Sequence, residues 1–289
     1  MIDDIPLIDA HLHPVRLPTV PPAWRQWAER YGKGVPLFAL YRTDGTLDPA
    51  RFDRYLEEEG VDGAILLCEY SPRTVGVQPY EDLLPILRRN PRRFRFLANV
   101  NPHLHYPVVN HLEPQLAAGA VGLKIHPVHG GFPLDHPDLF PAYALCQERG
   151  LPVVVHCGTS IFPGAVNAYA DPTGVETLLR VFPQLTVVLA HGGRGWWYDH
   201  AAFLASTNPR VWIELSGLPP SRLPQLYARW DLGKLARKFI FGTDWPGVPG
   251  IRANAEALRA LGFDRPTLEG MFYRNALTVY RWEDWVPPR

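Results

Sequence analysis

Short apolar segments rich in β-branched residues alternate along this chain with longer segments of helical periodicity. The short segments predict strands at residues 5–11, 61–67, 94–100, 121–126, 153–156, 185–191, 211–216 and 239–243. The longer segments predict helices at residues 48–59, 79–89, 107–118, 137–149, 173–181, 201–206, 221–229, 252–260 and 266–280. Strands that alternate with helices indicate parallel βαβ units. Because the predicted strands are apolar on both faces, these units favour an α/β fold of the (β/α)₈ TIM-barrel type, formed by residues 1–289 as one domain.

One connection is much longer than a minimal barrel requires. Residues 14–47, rich in proline and aromatic residues, form an insertion after the first predicted strand that distorts the barrel slightly. Long loops in compact domains usually serve a function, and this one is expected over the top face of the barrel. It is either a lid over a site or a plug that covers apolar surface, and both interpretations stay open.

The charge balance narrows the possible partners. Lys and Arg number 29 and Asp and Glu number 29, so the formal net charge is zero. No basic excess is available to neutralise the phosphates of a nucleic acid. Low net charge gives little colloidal repulsion, which is compatible with a homo-oligomer. We therefore expect a small-molecule substrate and no nucleic-acid partner.

Cysteine usage and the N-terminus bear on location. Three scattered cysteines do not form a disulfide framework, and reduced cysteines are typical of the cytoplasm. The first residues are acidic where a signal peptide is basic, and no apolar run approaches a membrane span. We expect a cytoplasmic protein that does not interact with membranes.

Residues that bind metals or move protons stand at the ends of five predicted strands. They are His11 and His13, Lys124 and His126, His156, His191, and Asp244. The C-terminal strand ends of a barrel converge on one mouth, where barrel enzymes carry out their chemistry. His11 and His13 are two residues apart, so both imidazoles point to one side of their strand. Imidazole and carboxylate are suitable ligands for zinc and similar divalent ions.

The ordered motifs resemble the amidohydrolase superfamily, specifically the amidohydrolase 2 branch. That branch includes the aminocarboxymuconate-semialdehyde decarboxylase group, related aromatic-acid decarboxylases, and several hydrolases and lactonases. The matching motifs are DAHLH at 9–13, His156, LAHGG at 189–193, FGTDWP at 241–246 and NALTVY at 275–280. The resemblance implies that His11, His13, His156 and Asp244 bind one divalent metal, most often Zn²⁺, with Mn²⁺ and other ions as alternatives. It also implies that His191 and Asp244 move protons next to a metal-activated water.

The resemblance leaves the reaction open. It implies a metal-dependent hydrolase of a small cyclic ester, amide or carboxylated substrate. The same residues would serve a non-oxidative decarboxylase, or carboxy-lyase, of an aromatic or muconate-type acid. An alternative of another class is a catalytically inactive barrel that acts as a binding protein.

Lys124 allows three interpretations. In binuclear members of the superfamily a carboxylated lysine on the fourth strand bridges two metals, with His156 and His191 on the second. We favour one metal, in which case Lys124 and His126 contact a carboxylate or oxygen of the substrate. An ion pair inside the barrel is the structural alternative for Lys124.

Four residues are weaker candidates. Arg194 could clamp a substrate carboxylate or lie in a solvated loop. Trp245 could form an aromatic wall for a planar substrate, or simply fill space. Glu214 has the strand position to reach the pocket without a clear role. His129, like the other loop and helix histidines, is expected in a surface or structural role.

Overall fold

The computed structural model describes residues 1–2, 4–32 and 36–286. The strands are β1 Ile8–Leu12, β2 Gly63–Leu67, β3 Glu69–Ser71, β4 Gly76–Gln78, β5 Phe94–Asn99, β6 Leu123–Ile125, β7 Val153–Gly158, β8 Val187–Arg194, β9 Val211–Glu214 and β10 Phe239–Ile240. Eight of them form one parallel sheet in the order β1-β2-β5-β6-β7-β8-β9-β10. β3 and β4 form a separate antiparallel hairpin, which the sequence pattern did not predict.

Helices connect the strands around the outside of the sheet. The α-helices are α1 Pro22–Tyr31, α2 Pro49–Glu58, α3 Leu84–Arg89, α4 Val108–Ala117, α5 Pro127–Gly130, α6 Phe140–Arg149, α7 Thr173–Val181, α8 Tyr198–Thr207, α9 Leu223–Leu226, α10 Leu232–Ala236, α11 Ile251–Arg259, α12 Arg265–Glu269 and α13 Asn275–Tyr280. Short 3₁₀ turns lie at Leu17–Thr19, Leu37–Leu40, Tyr80–Leu83, Pro137–Leu139, Asn167–Ala170 and Pro220–Arg222, and a π-helical turn at Gly270–Arg274 joins α12 to α13. None of the helices in the described ranges is long and apolar enough to cross a membrane.

The sheet curls into a nearly closed barrel. β1 and the segment that follows β10 are joined by backbone hydrogen bonds from Ala10 N to Phe241 O at 3.0 Å and from His13 N to Trp245 O at 3.0 Å. A third bond runs from Asp244 N to His11 O at 3.1 Å. The predicted barrel is confirmed, and these bonds bring the first and last strand ends, with their candidate ligands, side by side.

Apolar side chains fill the barrel interior and its lower end. Ile8, Val154 and Ile240 belong to an inner cluster that also includes Trp282 and Trp285, which follow α13. A larger cluster packs between the strands and the surrounding helices. The segment that follows α13 thus packs against the inner cluster at the floor of the barrel.

The main departures from the predicted elements lie where proline interrupts the chain. The helix predicted at 221–229 is only α9, Leu223–Leu226, followed by α10. Pro219, Pro220 and Pro224 lack the N–H that a continuous helix needs, so the segment breaks into short turns. The insertion at 14–47, of which residues 33–35 lie outside the described residues, contains α1, whose Trp24 and Ala28 are buried.

Candidate metal centre and its cavity

A cavity of about 260 Å³ opens at the C-terminal mouth of the barrel. Its polar lining includes His13, Glu69, His126, His129, His156, Ser160, His191, Arg194 and Asp244. Its apolar lining includes Trp24, Trp27, Tyr31, Val75, Ile161 and Phe162. Trp24, Trp27 and Tyr31 lie in α1, so the insertion both packs on the barrel and supplies a wall of the cavity. The position of this segment is therefore compatible with both roles, a lid over the site and a plug that covers apolar surface.

Three predicted ligands meet at one point of this cavity. His11 Nε2 lies 3.2 Å from His13 Nε2. Asp244 Oδ1 lies 3.6 Å from His11 Nε2 and 3.4 Å from His13 Nε2. Bonds of 2.0–2.1 Å to a tetrahedral zinc place neighbouring ligand atoms roughly 3.3 Å apart. The three atoms already have the spacing of one face of such a coordination shell.

The backbone places two site residues in an unusual conformation. Asp244 has φ 71° and His191 has φ 67°, in the left-handed region that side chains rarely adopt. Such strain persists only where surrounding structure over-determines it, and it is typical of functional sites.

Near Asp244, Asp9 accepts hydrogen bonds from the backbone N of Thr243 at 3.1 Å and from the Thr243 hydroxyl at 2.6 Å. Complete burial raises the pKa of Asp9 to about 8.

A buried carboxylate orients the first ligand. Glu214 Oε2 accepts from His11 Nδ1 at 2.7 Å, and the glutamate itself accepts from Ser216 N at 2.6 Å and Ser216 Oγ at 2.8 Å. Because Nδ1 of His11 donates this hydrogen bond, Nε2 carries the lone pair. Nε2 faces His13 and Asp244. Carboxylate partners of this kind fix the tautomer of metal-binding histidines. The sequence placed Glu214 near the pocket without assigning it this role.

Charge and hydrogen bonding keep Asp244 available as an anion. Although burial acts to raise its pKa, the hydrogen bond from His13 and the neighbouring charges lower it overall. Arg194 Nη1 lies 3.7 Å from Asp244 Oδ2. An ionised carboxylate at this position is the form that binds a divalent metal.

His156 and His191 form a second layer of the site. His191 Nε2 lies 3.1 Å from His156 Nδ1, and His191 Nδ1 lies 2.8 Å from Ser216 Oγ. Asp244 Oδ2 is 4.0 Å from His191 Nδ1. Burial, followed by nearby positive charge, lowers the pKa of both histidines well below the usual value. His191 thus lies next to the ligand triangle, as expected of a proton-transfer residue.

The fourth predicted ligand belongs to a different group. His156 and two further buried histidines, His126 and His129, bring their ligand atoms within 4.8 Å of one another, whereas His11, His13 and Asp244 form a separate group. His129 was expected in a surface or structural role but is buried in the cavity wall. The only feature of the sequence that pointed to His129 was its position three residues after His126.

Glu69 was also missed by the sequence analysis. It begins β3, two residues after the end of β2, and is 4% exposed. Its Oε1 accepts from His129 Nδ1 at 2.8 Å and lies 3.5 Å from His126 Nδ1. Although burial acts to raise the pKa of Glu69, its interactions with His129 lower it overall. The feature of the sequence that pointed to Glu69 was its position just beyond the end of a predicted strand.

Two of the four predicted substrate contacts need correction. Trp245 is fully buried and packs against Phe52 and Tyr55, with ring centroids at 5.1 and 6.0 Å, so it fills the core. Lys124 is likewise fully buried. It lies in β6, two residues before His126, and therefore deeper in the barrel. Neither borders the cavity as the described residues form it. The strand end turns each of these side chains inward, which the residue spacing alone did not reveal.

Arg194 and His126 do border the cavity. Arg194 donates from Nη2 to Thr159 O at 3.0 Å, which fixes its guanidinium at the wall while leaving it partly exposed. Both ring nitrogens of His126, and Nζ of Lys124, are buried without a hydrogen-bond partner in the part of the chain that the structure describes. Burial lowers the pKa of Lys124 to about 8.

The residues present fit a divalent metal. Buried polar groups are normally paired, and the nitrogens of His126 and Lys124 that are unpaired among the described residues lie beside this donor set. The nitrogen and carboxylate donors around His13 and Asp244 are the set that zinc and manganese accept. A (β/α)₈ barrel with these donors at its C-terminal mouth has the architecture of the metal-dependent barrel enzymes.

The comparison with known families agrees with this class. The family model described as Amidohydrolase matches residues 8–282. The chain therefore belongs to the amidohydrolase family, in its amidohydrolase 2 branch, and the resemblance seen in the sequence is confirmed. No curated protein matches the chain.

Solved structures support the fold across nearly the whole chain. An uncharacterised TIM-barrel protein from Bordetella bronchiseptica has 19% identity and a TM-score of 0.79, covering 96% of this chain and 99% of that one. A probable 2-pyrone-4,6-dicarboxylic acid hydrolase from Acinetobacter baumannii, with citric acid bound, has 19% identity and a TM-score of 0.64, covering 95% and 99%. A dihydroxybenzoic acid decarboxylase from Polaromonas sp. JS666, with bound manganese and 2-nitroresorcinol, has 16% identity and a TM-score of 0.63, covering 96% and 98%. The fold is thus shared by a probable hydrolase and a decarboxylase.

Proposed function

We propose that this protein is a metal-dependent hydrolase of a small cyclic ester or amide that carries a carboxylate. The observation that carries the proposal is the triangle of His11, His13 and Asp244, which opens onto a cavity of about 260 Å³. That volume suits a substrate with about one ring. Hydrolysis in such a site needs an ion, a proton-transfer group and a binding group for the substrate, and the cavity offers residues for each.

His11, His13 and Asp244 would hold the metal, with zinc or manganese as the candidates. When bound, the ion supplies a Lewis acid that polarises a carbonyl oxygen and lowers the pKa of water. Manganese is supported by the similar dihydroxybenzoic acid decarboxylase, which contains it, and zinc by the histidine-rich donor set.

The surrounding residues would bind and orient the substrate. Arg194 offers a planar guanidinium at the wall, which pairs with a substrate carboxylate through two parallel hydrogen bonds. Trp27 and Phe162 contact each other in the cavity wall, with ring centroids 5.6 Å apart, and offer an aromatic surface for a planar ring. His191, held by Ser216, would accept a proton at Nε2 or return it.

A carboxy-lyase acting on an aromatic acid is the second candidate. The combination of Arg194 with an aromatic wall favours an aryl carboxylate as much as a lactone. In that reaction His191 would deliver the proton to the ring carbon that loses CO₂. The similar decarboxylase structure supports this alternative.

The location proposed for the enzyme is the cytoplasm. Cys68, Cys146 and Cys157 are all buried free thiols in the structure. Thiols that remain unpaired suit a reducing compartment.

A substrate panel with two readouts tests these proposals. The metal-loaded protein is incubated with 2-pyrone-4,6-dicarboxylate, other carboxylated lactones and dihydroxybenzoates, while ring opening and CO₂ release are recorded separately. Ring opening that disappears in Asp244→Asn supports the hydrolase. CO₂ release without a product of water addition replaces it with the carboxy-lyase, and turnover unaffected by Asp244→Asn contradicts both. A folded barrel that binds panel members without turning any over identifies a binding protein instead.

A further inference from the structure

We propose that Ser160 is a specificity-determining residue, which accepts a hydrogen bond from an N–H or O–H group of the substrate. Glu69 and His129 act as positioning residues that fix the direction of its hydroxyl. The cavity therefore prefers a ring acid that carries a donor next to its carboxylate over one that presents only acceptors there. This preference rests on the proposed function, whose class of substrate it narrows.

Glu69, His129 and Ser160 form a continuous chain of hydrogen bonds in the cavity wall. Glu69 Oε1 accepts from His129 Nδ1 at 2.8 Å, and His129 Nε2 lies 3.0 Å from Ser160 Oγ. All three side chains are buried, and each residue borders the cavity. They come from β3, from α5 and from the loop after β7. The chain of bonds is therefore assembled only in the folded site, from three separate segments.

The carboxylate at one end fixes the direction of each bond. Although burial acts to raise the pKa of Glu69, its interactions with His129 lower it overall, so Glu69 is an anion that only accepts. His129 Nδ1 must therefore donate, and Nε2 of the neutral imidazole carries a lone pair. Ser160 donates its hydroxyl proton to that lone pair. The proton is thus committed to His129 and is not available to a ligand.

The Ser160 oxygen keeps two lone pairs after it has donated its proton. The backbone N of Phe162 donates to one of them at 3.3 Å. The bonds to His129 and Phe162 are the contacts of this hydroxyl within the described part of the chain. Because Ser160 borders the cavity, the second lone pair is open to a ligand, and a lone pair binds only a donor.

Further hydrogen bonds hold His129 and Ser160 in position. Thr74 Oγ1 donates to His129 O at 3.1 Å. Ser160 N donates to Asn167 Oδ1 at 2.7 Å, and Asn167 Nδ2 donates to Ser160 O at 3.1 Å. A binding group discriminates between ligands when its supporting residues fix its position before the ligand arrives. The Ser160 acceptor meets this condition.

The Ser160 acceptor lies next to the group that would bind a substrate carboxylate. Arg194 Nη2 donates to the carbonyl of Thr159, the residue before Ser160, at 3.0 Å. Thr159 N in turn donates to Arg194 O at 2.9 Å. A ring acid whose carboxylate pairs with Arg194 would therefore have its neighbouring ring atom close to Ser160. A donor at that ring atom is the feature that the site would select.

The same order of residues occurs in hydrolases that use serine as a nucleophile, with a histidine base and a carboxylate. Such enzymes need N–H groups that are free to stabilise an oxyanion. In this cavity Ser160 N already donates to Asn167, and Phe162 N already donates to the Ser160 hydroxyl. The observations therefore favour a role in binding over a role in attack.

A matched pair of ring acids tests the preference. Pyrrole-2-carboxylate has an N–H next to its carboxylate, whereas 2-furoate has a ring oxygen in the same place, and hydrolysis opens neither ring. Both acids are titrated calorimetrically into the metal-loaded, full-length protein at about pH 8, where an imidazole is ordinarily neutral. We expect the wild type to bind pyrrole-2-carboxylate about 10-fold more tightly, which corresponds to one good hydrogen bond.

Ser160→Ala removes the acceptor without adding bulk. The affinity for pyrrole-2-carboxylate should fall to that for 2-furoate, whereas 2-furoate should bind as in the wild type. Ser206→Ala is the matched control, because Ser206 is an exposed serine on α8 outside the cavity, and it should keep the full preference. A wild type without the preference, or an equal preference in Ser160→Ala, overturns the proposal. Covalent labelling of Ser160 by a fluorophosphonate also overturns it, since Ser160 would then be a nucleophile.

Glu69→Gln tests the positioning role. Glutamine can donate to His129 Nδ1 as well as accept from it, so the imidazole can present its N–H to Ser160 and release the hydroxyl proton. We expect pyrrole-2-carboxylate to bind more weakly and 2-furoate to bind at least as tightly as in the wild type. General loosening of the cavity would weaken both acids, and that result would contradict the positioning role. Circular dichroism shows whether each variant is folded.

These readouts do not depend on turnover. A chain that shows the preference for pyrrole-2-carboxylate but converts no substrate would contradict the proposed function while supporting the role of Ser160. A hydrolase with equal affinity for the two acids would support the proposed function and contradict that role.

Discussion

Asp9 joins the first and last strands of the barrel through Thr243. Its Oδ2 pairs with the Thr243 hydroxyl at 2.6 Å, and its Oδ1 accepts from the backbone N of Thr243 at 3.1 Å and of His11 at 3.0 Å. One of these residues is a candidate ligand and another immediately precedes Asp244. The fully buried Asp9 therefore fixes the spacing between ligands that lie far apart in the sequence.

Removal of the Thr243 hydroxyl should lower stability. Thr243→Val keeps the shape of the side chain but leaves Asp9 Oδ2 buried without its partner, which costs about 1–3 kcal/mol. The free energy of unfolding from urea denaturation measures the loss. Thr243→Ser is the control, since it keeps the hydroxyl and loses about 0.8 kcal/mol for one methyl group. A valine variant as stable as the wild type would show that the bond contributes nothing.

The orienting carboxylate of the candidate metal centre gives a second prediction. Glu214→Gln removes the charge that holds His11 through the 2.7 Å bond at Nδ1. We expect metal affinity to fall by about 10- to 100-fold, as for other outer partners of metal-binding histidines. Calorimetric titration of the stripped protein measures it. An unchanged dissociation constant would mean that Glu214 only supports the fold.

The barrel and the first ligand group could be predicted because they depend on periodic burial. Continuous apolar strands of similar length alternate with helices, and this pattern survives small errors in each boundary. His11, His13 and Asp244 were predicted because strand ends converge in any such barrel. Their distances confirm the convergence, although metal binding itself stays a prediction.

The remainder of the site depends on directions that sequence spacing does not contain. Glu69 lies in a hairpin that no hydrophobic alternation marks, and His129 lies in a short turn after β6. Whether such residues face the cavity depends on how the loop folds back. Trp245 shows the converse, because a residue adjacent to Asp244 turns into the core against Phe52. The position of a residue in the sequence thus indicated how near it lies to the site, but not the direction in which its side chain points.

Arg194 should determine the preference for carboxylates. Arg194→Met keeps the aliphatic stem and removes the guanidinium, so binding of benzoate and related acids should weaken by about 10- to 100-fold. That range corresponds to about 1.5–3 kcal/mol for a charged hydrogen bond. Equilibrium titration of the metal-loaded protein measures it, with benzamide as the neutral control ligand. Parallel weakening of benzoate and benzamide would show that Arg194 shapes the cavity without recognising charge.

The wall supplied by α1 rests directly on the loop that carries Asp244. A Cβ atom at Gly247 would overlap the indole ring of Trp27, which borders the cavity. The backbone of Gly247 has no positive φ, so alanine is not excluded by its conformation. We expect Gly247→Ala to displace the indole and to lower the free energy of unfolding by about 1–3 kcal/mol, the usual cost of overpacking.

A double-mutant cycle tests whether this contact is the cause. Trp27→Leu removes the ring that the new methyl group would strike, so Gly247→Ala should cost much less in the Trp27→Leu background than in the wild type. Urea denaturation of the four proteins gives the coupling energy between the two positions. If the alanine costs the same in both backgrounds, the strain arises within the loop itself. In that case α1 would not depend on Gly247 for its place over the cavity, and the aromatic wall would have to be held by its buried residues Trp24 and Ala28 alone.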